Sequence, residues 1–322
     1  MARKIPRDCP IADWSENTSV ETGGAYSLIR DGFLNTELFL PIARDRKVCL
    51  ALHRHFAEWK YANLFGSMTF IEALSSPAAE ISDAIIFTSP TNHWHFFLDG
   101  LANLSEELLA QCDTVFVDQA LSDDQMGFLA TYAKTLGASD LTIERLPQAT
   151  YAVRNVYVPV NAPFDIKARN LRAQLRKIDA PGSDTNKRIY VTRKRAKTRR
   201  LINEEELVSM LAAEFGFRCL QNEAFSLVDQ LSLYRESEIV IGPHGAGLTN
   251  IVFSACPEFL IELFNTRQQS FYGRLSEALD IQYIGIEGAA ATPTPDGNMW
   301  DDASFRVDVA QVRNTLRETL GD

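Results

Sequence analysis

The sequence predicts an α/β protein of two domains, each a parallel sheet covered by helices, with a cleft between them. Three observations lead there. The chain is 322 residues long, room for two domains of ordinary size. Short β-branched runs alternate with amphipathic stretches of roughly 10–15 residues, the pattern of parallel strands joined by crossover helices. The third is EIVIGPHGAGLTN (238–250), where an apolar strand meets a glycine-rich turn and the start of a helix.

Residues 1–45 mix Pro, Gly, Asn and Asp without periodicity and read as an irregular segment with short strands. VCLAL (48–52), DAIIFT (83–88) and DTVFVD (113–118) read as buried strands. Residues 94–109 have helical spacing, and 123–136 form a second helix with Ser122 as N-cap and Gly137 as its stop. LTIERL and the run 151–160 complete a first domain, 1–165. A linker region, 166–186, carries a short basic helix (166–178), with Pro159, Pro163 and Pro181-Gly182-Ser183 marking the transition.

The second domain, 187–322, opens with the strand RIYVTR (188–193). A helix over 203–215 follows, with Glu204, Glu205 and Glu206 in the first turn, where the helix dipole favours them, and Gly216 as its stop. FRCLQ, EIVIG, FLIELF (259–264) and QYIGIEG are further strands, with helices at 226–235 and 270–279 between them. The loop TPTPDG leads to an amphipathic terminal helix (307–320), expected to pack across.

The net charge of −10 argues against a general nucleic-acid binder. No apolar run reaches the roughly 18 residues of a membrane span. MARKIPRDCPIADW has basic residues but no apolar core behind them, which predicts no signal peptide. Cys9, Cys49, Cys112, Cys219 and Cys256 are scattered and form no CxxC. Reduced thiols in a cytosolic protein are expected, with neither a disulfide framework nor a zinc site.

Gly242, Gly245 and Gly247 surround Pro243 and His244 after the strand EIVI. Unpaired N–H groups at the helix start, its dipole and close approach through glycine would make a phosphate or diphosphate site. The competing reading is a tight turn that needs glycine at positive φ. The spacing and position differ from those of the dinucleotide fingerprint. Arg193, Lys194, Arg195, Lys197, Arg199 and Arg200 follow the first strand of this domain, on the sheet edge where the glycine turn opens. Arg193 and Arg199 are candidate phosphate ligands, and a solvated basic loop is the alternative. Glu262, in a buried strand, would accept from ribose hydroxyls or pair with one of the arginines. His95 and Asp99 are four apart, so on a helix they can touch and form an acid–base pair. In the alternative, Trp94, Phe97, Leu98 and Leu101 form a core face on which His95 merely packs.

TSPTNHWHFFLDGL, IYVTRKRAKTRRLINEEEL and GPHGAGLTNIVFSACPEFLIELF together resemble glycosyltransferase family 61, over roughly residues 85–290. This group of capsular polysaccharide biosynthesis-like proteins also includes eukaryotic β-xylosyl- and N-acetylglucosaminyltransferases. The resemblance implies a GT-B architecture of two Rossmann-like domains, with the nucleotide sugar in the C-terminal one, acceptor contacts in the N-terminal one, and inversion at the anomeric carbon. It carries donor binding onto Arg193, His244, Gly245, Ala246, Gly247, Asn250 and Glu262, and the histidine and acid of the N-terminal block onto His95 and Asp99. His95 is the expected base, with Asp99 and then His244 as alternatives. The expected co-substrate is a UDP-sugar, with no resident cofactor or metal. No Asp-x-Asp occurs in the chain, so arginines and backbone N–H groups would have to stabilise the leaving UDP. The expected acceptor is an oligosaccharide, polysaccharide or lipid-linked glycan. The expected setting is a bacterial, cytoplasmic enzyme of capsular, exo- or lipopolysaccharide synthesis, with no nucleic-acid partner and at most peripheral membrane association. A catalytically degenerate scaffold and a polyanion-binding protein are the alternatives.

Overall fold

The computed structural model describes residues 20–22, 24–36, 40–42, 77–87, 91–180, 186–265, 271–290 and 303–321. The strand expected at 48–52, the turn Pro181-Gly182-Ser183 and the loop TPTPDG lie outside the described residues. The chain falls into two compact units, Met1–Pro163 and Phe164–Asp322.

The first unit holds β1 (Val20–Thr22), β2 (Tyr26–Asn35), β3 (Leu40–Ile42), β4 (Glu80–Phe87), β5 (Thr114–Val117), β6 (Thr142–Arg145) and β7 (Thr150–Pro159). They form one sheet in the order β1-β2-β7-β4-β5-β6, with β3 also on β2. β7, β4, β5 and β6 are parallel, as the alternating pattern predicts. The other half is antiparallel and corrects the expectation of an irregular N-terminal segment. β2 pairs with β7 along almost its whole length. Two residues hid this strand. Asp31 is left-handed (φ 49°), and Gly32 is required because a Cβ there would sit 2.4 Å from the Ile42 carbonyl oxygen. Ile29, Leu34, Ala84, Ile86, Val156 and Val158 form the core on one face of the sheet.

The helix expected over 94–109 is broken. His93–His95 is one α-turn, Phe96–Gly100 a π-turn and Leu101–Asn103 a 3-10 turn. Only α1 (Glu106–Leu109), capped by Ser105, resumes as an α-helix. Gly100 leaves helical geometry (φ −100°, ψ −86°), and the Asn103 amide donates to the Asp99 carbonyl at 2.8 Å. The interruption is held by aromatic packing: Phe87, Phe96, Phe97 and Phe128 meet edge to face in sequence. Phe128 belongs to α2 (Asp123–Thr135), which starts at a Ser122–Gln125 capping box and stops before left-handed Gly137.

The second unit opens with α3 (Phe164–Leu175) and β8 (Arg188–Val191). α4 (Glu204–Phe215), β9 (Arg218–Leu220), α5 (Leu227–Tyr234), β10 (Ile239–Pro243) and β11 (Phe259–Phe264) follow. The chain then forms α6 (Phe271–Ala278), β12 (Gln282–Glu287), the antiparallel pair β13 (Ala289–Ala290) and β14 (Phe305–Arg306), and α7 (Val309–Leu320). The five-stranded sheet is wholly parallel. Its order is β9-β8-β10-β11-β12, or 2-1-3-4-5 in chain order, so the winding reverses between β8 and β10. Ile239, Ile241, Ile261, Leu263 and Ile286 bury against α4 and α7. α7 is seated on its own unit through Val312, Leu316 and an Arg313–Glu214 ion pair at 2.9 Å.

The basic helix of the expected linker is α3, and its arginines cap carbonyls. Arg169 donates to Ala278 at 2.8 Å, Arg172 to Leu279 at 3.0 Å and Arg176 to Ala255 at 2.5 Å. Cations at helix C-terminal carbonyls are favourable, so these charges act as caps. Burial, with Arg176 close by, pulls the Arg172 guanidinium down to about 10. Cys112, Cys219 and Cys256 are free thiols. Among the described residues no helix is long and apolar enough to cross a membrane.

Candidate functional site

In a doubly wound sheet, ligands bind beyond the carboxyl ends of the strands that flank the reversal. Here those strands are β8 and β10. Thr192 and Arg193 follow β8; His244 and Gly245 follow β10 and lead into a 3-10 helix, Ala246–Phe253. The expected α-helix is thus a tighter one. Ala246 and Gly247, half-buried, carry N–H groups at its first turn, where a helix leaves donors without intrahelical partners.

The glycines serve close approach, and the reading based on positive φ is corrected. Among the described residues the glycines with positive φ are Gly137, Gly216 and Gly321; Gly245 is extended (φ 165°). A Cβ on Gly245 would lie 1.8 Å from Arg193 Nη1 and 2.7 Å from its Cζ, so the guanidinium rests on the bare backbone of this residue. A Cβ on Gly242 would meet the Val191 carbonyl oxygen at 2.8 Å, and one on Gly247 would come within 3.1 Å of Asn222 Nδ2.

Arg193 is held from behind. Its backbone N–H reaches Glu204 Oε1 at 3.3 Å, and Nη2 donates to the Thr198 carbonyl at 3.3 Å. Glu204, read from the sequence as a first-turn dipole residue, is buried and also accepts from Tyr190 and Thr192 hydroxyls, both at 2.8 Å. Arg199 adopts a left-handed backbone (φ 55°), and its buried Nε has no hydrogen-bond partner among the described residues. A left-handed non-glycine residue costs on the order of 1 kcal/mol, and such strain clusters at functional sites. The rest of the basic run divides differently: Lys194 pairs with Glu205 at 3.0 Å, and Arg195, Lys197 and Arg200 are exposed.

Tyr272 closes this spot. Its hydroxyl donates to the Gly245 carbonyl at 2.6 Å and meets Thr249 Oγ1 at 3.3 Å. Burial pushes the phenol up; the Thr249 hydrogen bond opposes that, Glu262 adds to it, and Arg193 and Arg199 pull it down. Of the two, Arg193 is the one in contact with the glycine turn.

Strand alternation places Glu262 opposite Ile261 and Leu263, on the other face of the sheet. There its Oε1 pairs with His244 Nδ1, and its Oε2 accepts from the Tyr283 hydroxyl at 2.5 Å. The carboxylate is completely buried and both its oxygens are engaged. Neither expected role fits this geometry: Glu262 meets no arginine in these contacts and has no oxygen turned outward to a ribose. His244 keeps 14% side-chain exposure and stacks edge-on to Tyr272 at 5.8 Å.

Asn250 is fully buried as well, so direct contact with a ligand is corrected to support. Its amide donates to Gln230 Oε1 at 2.8 Å; Gln230 donates to the Asn222 carbonyl at 3.0 Å. Asn222 accepts from the Tyr234 hydroxyl at 2.8 Å and donates to the Gly247 carbonyl at 3.2 Å. This network holds the glycine turn from beneath. Sequence reasoning missed Asn222, Gln230, Tyr234, Tyr272 and Tyr283. Gln230 and Tyr234, four apart on the buried face of α5, were the available signal.

In the first unit the four-residue spacing does produce contact. His95 Nδ1 lies 2.7 Å from Asp99 Oδ2, with the two side chains 29% and 21% exposed. Phe97, Leu98 and Leu101 are fully buried, so the core face exists too, and the pair stands beside it. The π-turn begins at the residue after His95 and contains Asp99; such insertions are frequent at functional sites.

Comparison with known proteins matches residues 93–258 to the family described as Glycosyltransferase 61, just over half of the chain. An EGF domain-specific O-linked N-acetylglucosamine transferase of Drosophila melanogaster is 29% identical over 34% of this chain and 22% of its own length. The Xenopus laevis protein of the same name is 30% identical over 42% of this chain and 28% of its own. A beta-1,2-xylosyltransferase of Oryza sativa subsp. japonica is 30% identical over 28% of this chain and 17% of its own. The chain thus aligns with less than a third of the length of each of these relatives. The matched stretch includes His95, Asp99, Arg193 and the glycine turn, and ends four residues before Glu262.

Proposed function

The chain belongs to the glycosyltransferase 61 family, and on that premise we propose that it is an inverting, metal-independent glycosyltransferase of GT-B architecture. On this reading the first unit, Met1–Pro163, forms the acceptor side and the second, Phe164–Asp322, the side that binds a nucleotide sugar, taken to be a UDP-sugar. The observation that carries this reading is Arg193 lying on Gly245 where the second sheet reverses. Its guanidinium and the first-turn N–H groups of Ala246 and Gly247 would hold the diphosphate and stabilise it as it leaves.

Transfer is a single displacement. The acceptor hydroxyl oxygen attacks the anomeric carbon, the bond from that carbon to the diphosphate breaks, and its electron pair leaves on the diphosphate oxygen. The hydroxyl proton passes to His95 Nε2, while Asp99, on Nδ1, orients the ring and stabilises the imidazolium that forms. The acceptor is a glycan hydroxyl. The relatives are named for N-acetylglucosamine and xylose transfer, which makes those sugars the first donors to test. They come from animals and a plant, so the bacterial polysaccharide setting and cytoplasmic location expected from the sequence draw no support from them.

A thermal-shift panel of nucleotides and nucleotide sugars tests the proposal. A ligand at 100 times its dissociation constant stabilises by about 2.7 kcal/mol. UDP and at least one UDP-sugar should raise the melting temperature, and a flat response across uridine, guanosine, cytidine and adenosine diphosphates would overturn the reading.

A further inference from the structure

We propose that Glu262, backed by Tyr283, is a positioning residue that locks the His244 ring so that Nε2 is the nitrogen presented to the nucleotide donor. The inference rests on the donor reading above and goes beyond it, because it replaces a ribose-binding carboxylate with a relay from sheet to ring. Period two puts Val240, Gly242 and His244 on one face at the end of β10, and Leu260 and Glu262 on the same face of β11. The register sets Gly242 directly beside Glu262, so no side chain intervenes between the carboxylate and the ring two residues further on. Glu262 Oε1 takes His244 Nδ1, Tyr283 from β12 holds Oε2, and nothing of the carboxylate is exposed. Tyr272, edge-on to the ring, closes another side while holding the Gly245 carbonyl.

A buried carboxylate on Nδ1 fixes both the orientation and the tautomer of an imidazole. Nδ1 carries the hydrogen that Glu262 accepts, and Nε2 is left as an acceptor for a hydroxyl or N–H of the nucleotide rather than for a phosphate oxygen. His244 lies directly before Gly245, on which the Arg193 guanidinium rests, so ring and guanidinium serve one ligand. The carboxylate acts only through the histidine.

A double-mutant cycle on UDP binding, read by titration calorimetry on the full chain, tests this. His244→Ala should weaken UDP about tenfold, the worth of one good hydrogen bond. Glu262→Ala should cost a similar factor, Tyr283→Phe a smaller one, and Glu262→Ala in the His244→Ala background nothing further. Nitrogen-15 spectra of the histidine should show Nδ1 protonated in the wild type and lose that preference in Glu262→Ala. If Glu262→Ala does not fold, Tyr283→Phe carries the same cycle. Fully additive losses would mean that Glu262 touches the nucleotide itself, and the inference fails while the donor site stands. If Arg193→Ala and His244→Ala both leave UDP binding unchanged, the donor reading fails with it.

Discussion

Two histidine–carboxylate pairs, one in each unit, share their chemistry and little else. His95 and Asp99 come from one turn of chain, meet at 2.7 Å and are both partly exposed. His244 and Glu262 come from neighbouring strand ends, eighteen residues apart, with the carboxylate wholly buried and tied to Tyr283. An exposed pair can exchange its proton with an incoming hydroxyl and with water, as a base must. A buried, doubly bonded pair is rigid and suits holding a ligand in place. The difference teaches that a histidine beside a carboxylate is not one device: the surroundings decide whether it moves protons or fixes geometry.

The largest expected effect breaks the pair in the first unit. His95→Ala should lower transfer by about 10²–10⁴ while leaving UDP affinity near wild type. Asp99→Asn should lose less, since it disturbs orientation and leaves the imidazole in place. Full turnover by His95→Ala on a native acceptor would move the base elsewhere.

Arg193→Ala comes next. Arg193 is half-buried and hydrogen-bonded; truncating such a charge where the ligand would cover it costs about 2–5 kcal/mol, whereas a solvated one costs little. UDP titrations should therefore show a large loss for Arg193→Ala and almost none for Lys197→Ala. Equal small losses would return the basic run to the solvated surface.

Gly245→Ala sharpens the same contrast by geometry. The new methyl would lie 1.8 Å from Arg193 Nη1, and an extended backbone accepts alanine without strain. The domain should stay folded while UDP binding falls about tenfold through displacement of the guanidinium. Unchanged binding would separate Gly245 from the donor site.

Asn250→Ala should have the smallest effect on binding. Breaking a buried hydrogen-bond network costs about 1–3 kcal/mol of stability, seen as a lower melting temperature with UDP affinity close to wild type. A large affinity loss without destabilisation would restore Asn250 as a direct ligand.

Local rules carried much of this structure in the sequence. Ser122, Gly137 and Gly216 marked helix ends because capping depends on neighbours in the chain. The His95–Asp99 contact was legible for the same reason: four residues span one turn. EIVIG was legible as a buried strand because every residue of β10 is covered. What escaped was non-local. Glu262 looked available because its partners, His244 and Tyr283, arrive from other strands. β2 escaped because Asp31 and Gly32 interrupt its pattern where β3 folds against it. The break at Gly100 escaped because apolar spacing continues through it and only Asn103, bonding back to Asp99, marks it. Nor does spacing along the chain reveal strand order, so the reversal between β8 and β10 that places the candidate site appeared only with the sheet.

The central claim is a division of labour between the pairs, and UDP titration in EDTA tests it most directly. Wild type and His95→Ala should bind UDP equally well without metal, and His244→Ala about tenfold more weakly. Binding that vanishes in EDTA and returns with Mg²⁺ or Mn²⁺, or that weakens in His95→Ala as much as in His244→Ala, would contradict it.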